Sequence, residues 1–142
     1  MSGELIHASV VARRRNSGGW RGVMIRGVSG AGKSDLALRL MGRGWRLVAD
    51  DYVHVWTSGD RVWATAPQTI AGRIEARGVG ILTVPTRPLT RILLVVDAIS
   101  GAPERLPEAQ TTNLAGVAIP RLELRLLDAS AGDLVAAAID RL

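Results

Sequence analysis

The sequence predicts an α/β fold: one mixed sheet with helices packed around it. Three observations predict it. Short apolar runs rich in Val, Ile and Leu recur, the clearest being Arg91-Ile92-Leu93-Leu94-Val95-Val96. Hairpin signals interrupt them, above all Thr57-Ser58-Gly59-Asp60 between two runs rich in Val, Trp and Thr, so the elements are not a plain alternation of strand and helix. Residues 35–41, with Leu36, Leu40 and Met41 on one side, and residues 131–142 have helical character.

Residues 5–12 read as a first strand and the polar, glycine-bearing residues 13–20 as a loop. A short buried strand over 22–26 follows, then a glycine turn, then the helix, which ends near Gly42-Arg43-Gly44 with Gly44 as its C-cap. Residues 45–49 form a short strand running into Asp50-Asp51. Residues 52–56 and 61–65 form the hairpin. Residues 70–73 make a turn or a single helical turn, and 74–84 set charged residues and glycines beside a strand-like end that Pro85 and Pro88 break. The apolar run 91–96 ends at Asp97. Residues 100–116 read as a loop-rich connection, 117–127 as a late strand pair or extended segment, and 131–142 as a closing helix.

The chain has 142 residues, 47% of them apolar, which predicts a single domain over 1–142 with one core. With no cysteine, a disulfide framework and a thiolate metal site are excluded, in keeping with a cytoplasmic protein. No apolar run approaches ~20 residues, so no membrane span is expected. Met1-Ser2-Gly3-Glu4-Leu5 lacks the basic-then-apolar pattern of a signal peptide. The net charge is +5, and the only dense basic run, Arg13-Arg14-Arg15, reads as part of the solvated loop. A nucleic-acid partner would require more basic clustering and aromatic platforms, so none is expected; an acidic protein partner stays open.

The stretch Gly27-Val28-Ser29-Gly30-Ala31-Gly32-Lys33-Ser34 fits the phosphate-loop pattern without a mismatch, and it lies between a predicted strand and a predicted helix as that motif requires. Glycines let the backbone curl so that successive N–H groups face phosphate oxygens, and the helix adds its positive end. Lys33 would reach the outer phosphates and Ser34 would offer its hydroxyl to Mg²⁺. Lys33 is the only lysine among 18 lysines and arginines, which marks a position needing a compact ammonium.

Such a loop needs acidic partners, because Mg²⁺ takes oxygen ligands and phosphoryl transfer needs a positioned nucleophile. Three candidates exist: Asp50-Asp51 at a strand end, Glu75 among glycines and arginines, and Asp97 after an apolar run. Adjacent like charges repel, so the Asp50-Asp51 pair calls for a cation or a shared proton.

Three stretches taken together, Gly27 to Ser34, Arg43-Gly44-Trp45-Arg46-Leu47-Val48-Ala49-Asp50-Asp51 and Ile74-Glu75-Ala76-Arg77-Gly78-Val79-Gly80-Ile81-Leu82, resemble the catalytic C-terminal domain of HPr kinase/phosphorylase. The last two stretches are the more specific. The resemblance runs from about His7 to the C-terminal helix and weakens after Val84.

The resemblance implies a fold similar to the nucleotide domain of phosphoenolpyruvate carboxykinase. It implies a cytoplasmic bacterial enzyme, commonly a hexamer, that moves phosphate from ATP to a serine of HPr, a carrier of the sugar phosphotransferase system, and removes it with inorganic phosphate. Family members usually carry a further N-terminal domain, and this chain is similar to the short forms that lack it. By the same resemblance Lys33 binds the ATP phosphates, Ser34 and Glu75 hold Mg²⁺, and Asp50-Asp51 are the catalytic acids. Asp50 is favoured as the group that takes the serine proton, with Asp51 in support. His7 matches an active-site histidine, Arg105 a phosphate-contacting arginine, and Arg77 a charge-neutralising one. Asp97 becomes structural and His54 a sheet residue.

Two stretches depart from the family. The segment between Val84 and Arg91 is short, and Arg125-Leu126-Leu127-Asp128-Ala129-Ser130-Ala131-Gly132 stands where the family has a stretch tied to dephosphorylation. The resemblance therefore carries the kinase half further than the phosphorylase half. Two other readings stay open: a phosphate-loop kinase or ATPase for another acceptor, with Asp97 on the metal, and a non-catalytic ATP sensor.

Overall fold

The computed structural model describes residues 3–16 and 18–142. Ser17, within the expected loop 13–20, and Met1 and Ser2, within the N-terminus read as lacking a signal, lie outside the described residues. In chain order the elements are β1 (Gly3–Arg15), β2 (Gly19–Arg26), α1 (Lys33–Met41), β3 (Arg46–Ala49), β4 (Tyr52–Ser58), β5 (Arg61–Thr65), β6 (Arg73–Ala76), β7 (Gly80–Thr83), β8 (Thr90–Ala98), β9 (Gln110–Leu114), β10 (Val117–Leu124) and α2 (Ala131–Asp140).

Eight strands form a mixed sheet in the order β2-β1-β4-β5-β8-β10-β9, with β3 paired to β1 and β2 also paired to β8. The β2–β8 pairing is parallel and closes the path into a ring. β10 runs parallel to β8, and the remaining pairs are antiparallel. β1 is long enough to serve three neighbours: residues 3–7 pair with β4, residues 8–15 with β2 and residues 10–12 also with β3. The expected α/β class with a mixed sheet is what the chain adopts.

Side-chain alternation along these strands builds two cores. Val11, Val23, Ile25, Leu94 and Val96 face the helices and pack with Leu36, Ala37 and Leu40 of α1 and Val135 and Ile139 of α2. Val10, Ala12, Met24 and Val95 face the other way and pack with Val53, Val55, Val62, Ala64 and Ile92. β6 and β7 make a separate hairpin, fastened by Ile74, which is buried in the helix-side core.

Three expectations need correction. The basic run 13–15 belongs to β1 and pairs with Gly19, Trp20 and Arg21, so most of the expected loop is strand. Its partners are distant in sequence: Arg13 bonds Asp140 and lies 5.0 Å over the Trp45 ring. The expected connection 100–116 contains β9, joined to β10 by a turn with Ala115 at φ 50° and Gly116 at φ 88°. Two positive φ values suit a tight hairpin, but Ala in the first position conceals it. Helix α1 is capped by Gly42, while Gly44 takes the positive φ, 93°.

Candidate active site

The turn between β2 and α1 brings residues 27–34 over the end of the sheet. Gly32 precedes the helix at φ 103°, a conformation that favours glycine, and a Cβ there would stand 2.7 Å from Leu127 Cδ2. Lys33, 7% exposed, donates from Nζ to the carbonyls of Gly27 (2.7 Å) and Val28 (3.0 Å). Burial pulls its pKa below the ordinary lysine value, opposed by the charges of Asp51 and Asp50.

Strand β3 delivers Asp50 and Asp51 beside this loop. The backbone reverses at Asp51, φ 72°, where a non-glycine residue is strained but Asp is tolerated. The two carboxylates end up in different surroundings. Asp50 is 7% exposed, and its Oδ1 accepts hydrogen bonds from the hydroxyls of Ser34 (2.6 Å) and Ser9 (2.8 Å). Its Oδ2 accepts the Glu75 main-chain N–H at 3.3 Å. Asp51 has a side chain 62% exposed and meets His7 Nε2 at 2.9 Å. The His7 ring in turn lies against Tyr52, centroids 5.2 Å apart.

One pocket of about 320 Å³ is lined by His7, Ser29, Gly30, Gly32, Lys33, Ser34, Asp51, Glu75 and Arg77, among others. It therefore gathers the ammonium, the Ser34 hydroxyl, a carboxylate–imidazole pair and the β6–β7 hairpin. Of the remaining residues singled out in the sequence, Arg105 stands exposed on the connection between β8 and β9 and does not line this pocket. His54 lies on β4 opposite Leu5 and Thr65, a sheet residue as expected. Asp97 is held by Arg26 (2.7 and 2.8 Å) and by Arg121. Burial would raise its pKa, yet the hydrogen bonds and charges of these two guanidinium groups hold it below the usual carboxylate range. It lies outside the pocket and links β2, β8 and β10, in keeping with the structural role expected of it.

Two contributors escaped the sequence. Ser9 is wholly buried and faces the helix side because it alternates with Ala8 and Val10; an isolated serine in an apolar strand is the signal for it. Leu127 forms part of the pocket wall against Gly32, which nothing in its local sequence indicates.

The donor set suits a hard divalent cation. Ser34 and Glu75 line the pocket and Asp50 accepts the Ser34 hydroxyl, an all-oxygen set, while among the described residues no group of three or more His, Cys, Asp or Glu converges as a metal cage. Mg²⁺ ordinarily takes one or two carboxylates and completes its shell with water and substrate phosphates.

Fold and site thus define a mixed α/β domain in which a glycine loop, an ammonium and the Asp51 carboxylate open onto one pocket, with Asp50 buried behind the Ser34 hydroxyl. The chain belongs to the family described as HPr Serine kinase C-terminal domain, whose model matches residues 19–140. It is 37% identical over 116 residues to an HPr kinase/phosphorylase of Limosilactobacillus reuteri, an alignment covering 72% of this chain and 36% of that protein. A shorter match, 52% identical over 66 residues, joins 46% of this chain to 21% of the HPr kinase/phosphorylase of Exiguobacterium sibiricum. The chain therefore spans a minor part of the length of these relatives. Its fold is like that of the Hpr(Ser) kinase/phosphatase from Coxiella burnetii, with a TM-score of 0.78 at 22% identity, covering 97% of this chain and 95% of that one. No helix among the described residues is long and apolar enough to cross a membrane.

Proposed function

We propose that this chain is a cytoplasmic, ATP-dependent protein serine kinase domain, residues 1–142 acting as one unit, and that its acceptor is HPr or an HPr-like phosphocarrier protein. Residues 27–34 act as a phosphate loop, and the domain is akin to the nucleotide domain of phosphoenolpyruvate carboxykinase. The main-chain N–H groups of the loop and the start of α1 cradle the ATP phosphates, and Lys33 neutralises their outer charge. Ser34, Asp50 and Glu75 hold Mg²⁺, which when bound offsets charge on the transferred group. Assembly into a homo-oligomer, a hexamer by family resemblance, belongs to the same reading.

The observation that carries the proposal is the unequal environment of the two aspartates. Both Asp50 oxygens are engaged, by Ser34, Ser9 and the Glu75 N–H, which suits a metal-side ligand. Asp51 is exposed to the pocket and paired with His7, which suits the group that aligns the attacking serine hydroxyl and takes its proton. This supports exchanging the two roles that the sequence favoured. The transition state of phosphoryl transfer is loose, so positioning and charge neutralisation do most of the work. In the reverse direction the same Asp51 would return the proton to the departing serine while inorganic phosphate attacks.

The test is incubation with labelled ATP, Mg²⁺ and purified HPr, followed by mass spectrometry of the acceptor. Phosphate on one HPr serine, lost with Lys33→Ala, is the expected result. Tight ATP binding with no phosphoserine formed would reject the kinase reading in favour of a sensor.

A further inference from the structure

A second pocket, of about 530 Å³, lies at the other end of the sheet. Its walls follow from register. Trp63 of β5 stands opposite Arg91 of β8, so their side chains share a face, and the two-residue period adds Arg61 and Leu93. The intervening Val62, Ala64 and Ile92 point the other way into the core. Trp20 and Arg21 of β2 and Arg87, ahead of β8, complete the cationic side.

Among the described residues four guanidinium groups line this pocket, and no Asp or Glu does. Two of them have main-chain partners. Arg21 donates to the main-chain oxygens of Ile139 (3.4 Å) and Leu142 (3.0 Å). Arg87 donates to the Leu89 carbonyl (3.1 Å) and lies 5.0 Å over the Trp20 ring. The Arg91 Nε is buried and has no hydrogen-bond partner among the described residues. Arg61 is exposed at the rim, and no carboxylate among the described residues pairs with either arginine. Burial, then the charges of Arg61 and Arg21, pull Arg91 below the ordinary guanidinium value. An orphaned buried donor within a cluster of like charge is costly unless an anion completes it.

The pocket is separate from the first. It sits where β2 and β8 begin, whereas the glycine loop follows the end of β2 and Gly27 touches Ala98 at the end of β8. Six residues of strand from Arg91 to Asp97 span about 20 Å.

We propose that this second pocket binds a small phosphate-bearing organic anion, with its phosphate on Arg61 and Arg91 and its apolar part against Trp63 and Leu93. A dianionic phosphate answers two guanidinium groups, whose forked donors match its oxygens. The volume falls within the range of small-molecule sites. Arginine beside tryptophan also occurs where single-stranded nucleic acid binds. Here, however, the open cations converge on one buried donor and do not trace a groove.

The test uses the full chain carrying Lys33→Ala, which removes the ammonium of the glycine loop and separates this site from the proposed ATP site. Phenyl phosphate and inorganic phosphate are titrated while tryptophan fluorescence is followed, since Trp20 and Trp63 line the pocket. A saturable change is expected, tighter for phenyl phosphate, and weakened roughly tenfold or more by Arg61→Ser and by Arg91→Gln. Arg61→Ser alters only the exposed rim, so the test does not depend on the buried variant folding. No saturable response, a response unchanged in both variants, or tighter binding of a short oligothymidylate would each overturn the proposal.

Discussion

The Ser9 hydroxyl donates to the Asp50 carboxylate at 2.8 Å, joining β1 to the end of β3 beneath the glycine loop. Ser9 is wholly buried, so its hydroxyl exchanges this bond with no solvent. Ser9→Ala should leave the apolar packing of β1 intact and remove one of three hydrogen bonds that orient Asp50. A charge-assisted bond of this kind is worth about 1.5–3 kcal/mol. Urea unfolding should show a loss of that size, and the Mg²⁺ concentration needed for nucleotide binding should rise. Unchanged stability and Mg²⁺ dependence would show that Ser9 does not orient Asp50.

Gly32→Ala joins two faults: a positive φ and a methyl group 2.7 Å from Leu127 Cδ2. Strain of this type costs about 1–3 kcal/mol, and relief requires the loop to move. Nucleotide affinity should fall well beyond the loss of stability, measured by calorimetry on the folded variant. Trimming the neighbour with Leu127→Ala should recover part of the stability without restoring φ.

Lys33→Met should abolish nucleotide-dependent transfer without destabilising the fold. The Lys33 pKa is lowered chiefly by burial, so the charged form is less favoured in the folded chain than in the unfolded one. A lowered lysine pKa means that stability rises with pH as the pH passes from the folded value up to the ordinary one, and the variant should lack this rise. Thermal unfolding at neutral pH should give a Tm equal to or above that of the parent chain.

Asp97 carries the opposite pH signature. Its folded pKa is depressed, so its contribution is fully present above the ordinary carboxylate value and is lost as pH falls through the folded value. Asp97→Asn should cost about 3 kcal/mol at neutral pH, because it strips Arg26 and Arg121 of their shared partner. In urea titrations the gap between parent and variant should narrow below about pH 4. Mg²⁺-dependent nucleotide binding should survive the substitution, which separates a scaffold role from a metal ligand.

How much of this was legible depended on how local each signal is. The stretch 27–34 is complete within eight positions, so its strand–loop–helix setting could be read directly. The adjacency of Asp50 and Asp51 was equally visible, but their unlike environments were not. That division arises from the positive φ of Asp51 and from Ser9, Ser34 and the Glu75 N–H, which tertiary structure brings together. The hairpin at Gly59 announced itself, whereas the turn at Ala115-Gly116 did not, because alanine occupies a position that Asn or Gly usually takes. The basic run 13–15 looked like a solvated loop because its anchors, Trp45 and Asp140, are far along the chain. Arg91 sat within the most apolar strand, and only the register with Trp63 reveals that it faces a cationic pocket.

In the proposed mechanism Asp51, not Asp50, handles the proton of the acceptor serine. The most direct test of this role is a parallel measurement of ATP binding and of phosphoserine formation on HPr for Asp51→Asn and Asp50→Asn. Asp51→Asn should bind ATP and Mg²⁺ like the parent while transfer falls by about two orders of magnitude or more, of the order general-base catalysis contributes, and Asp50→Asn should lose Mg²⁺-dependent ATP binding. Parent-like transfer by Asp51→Asn would contradict this role.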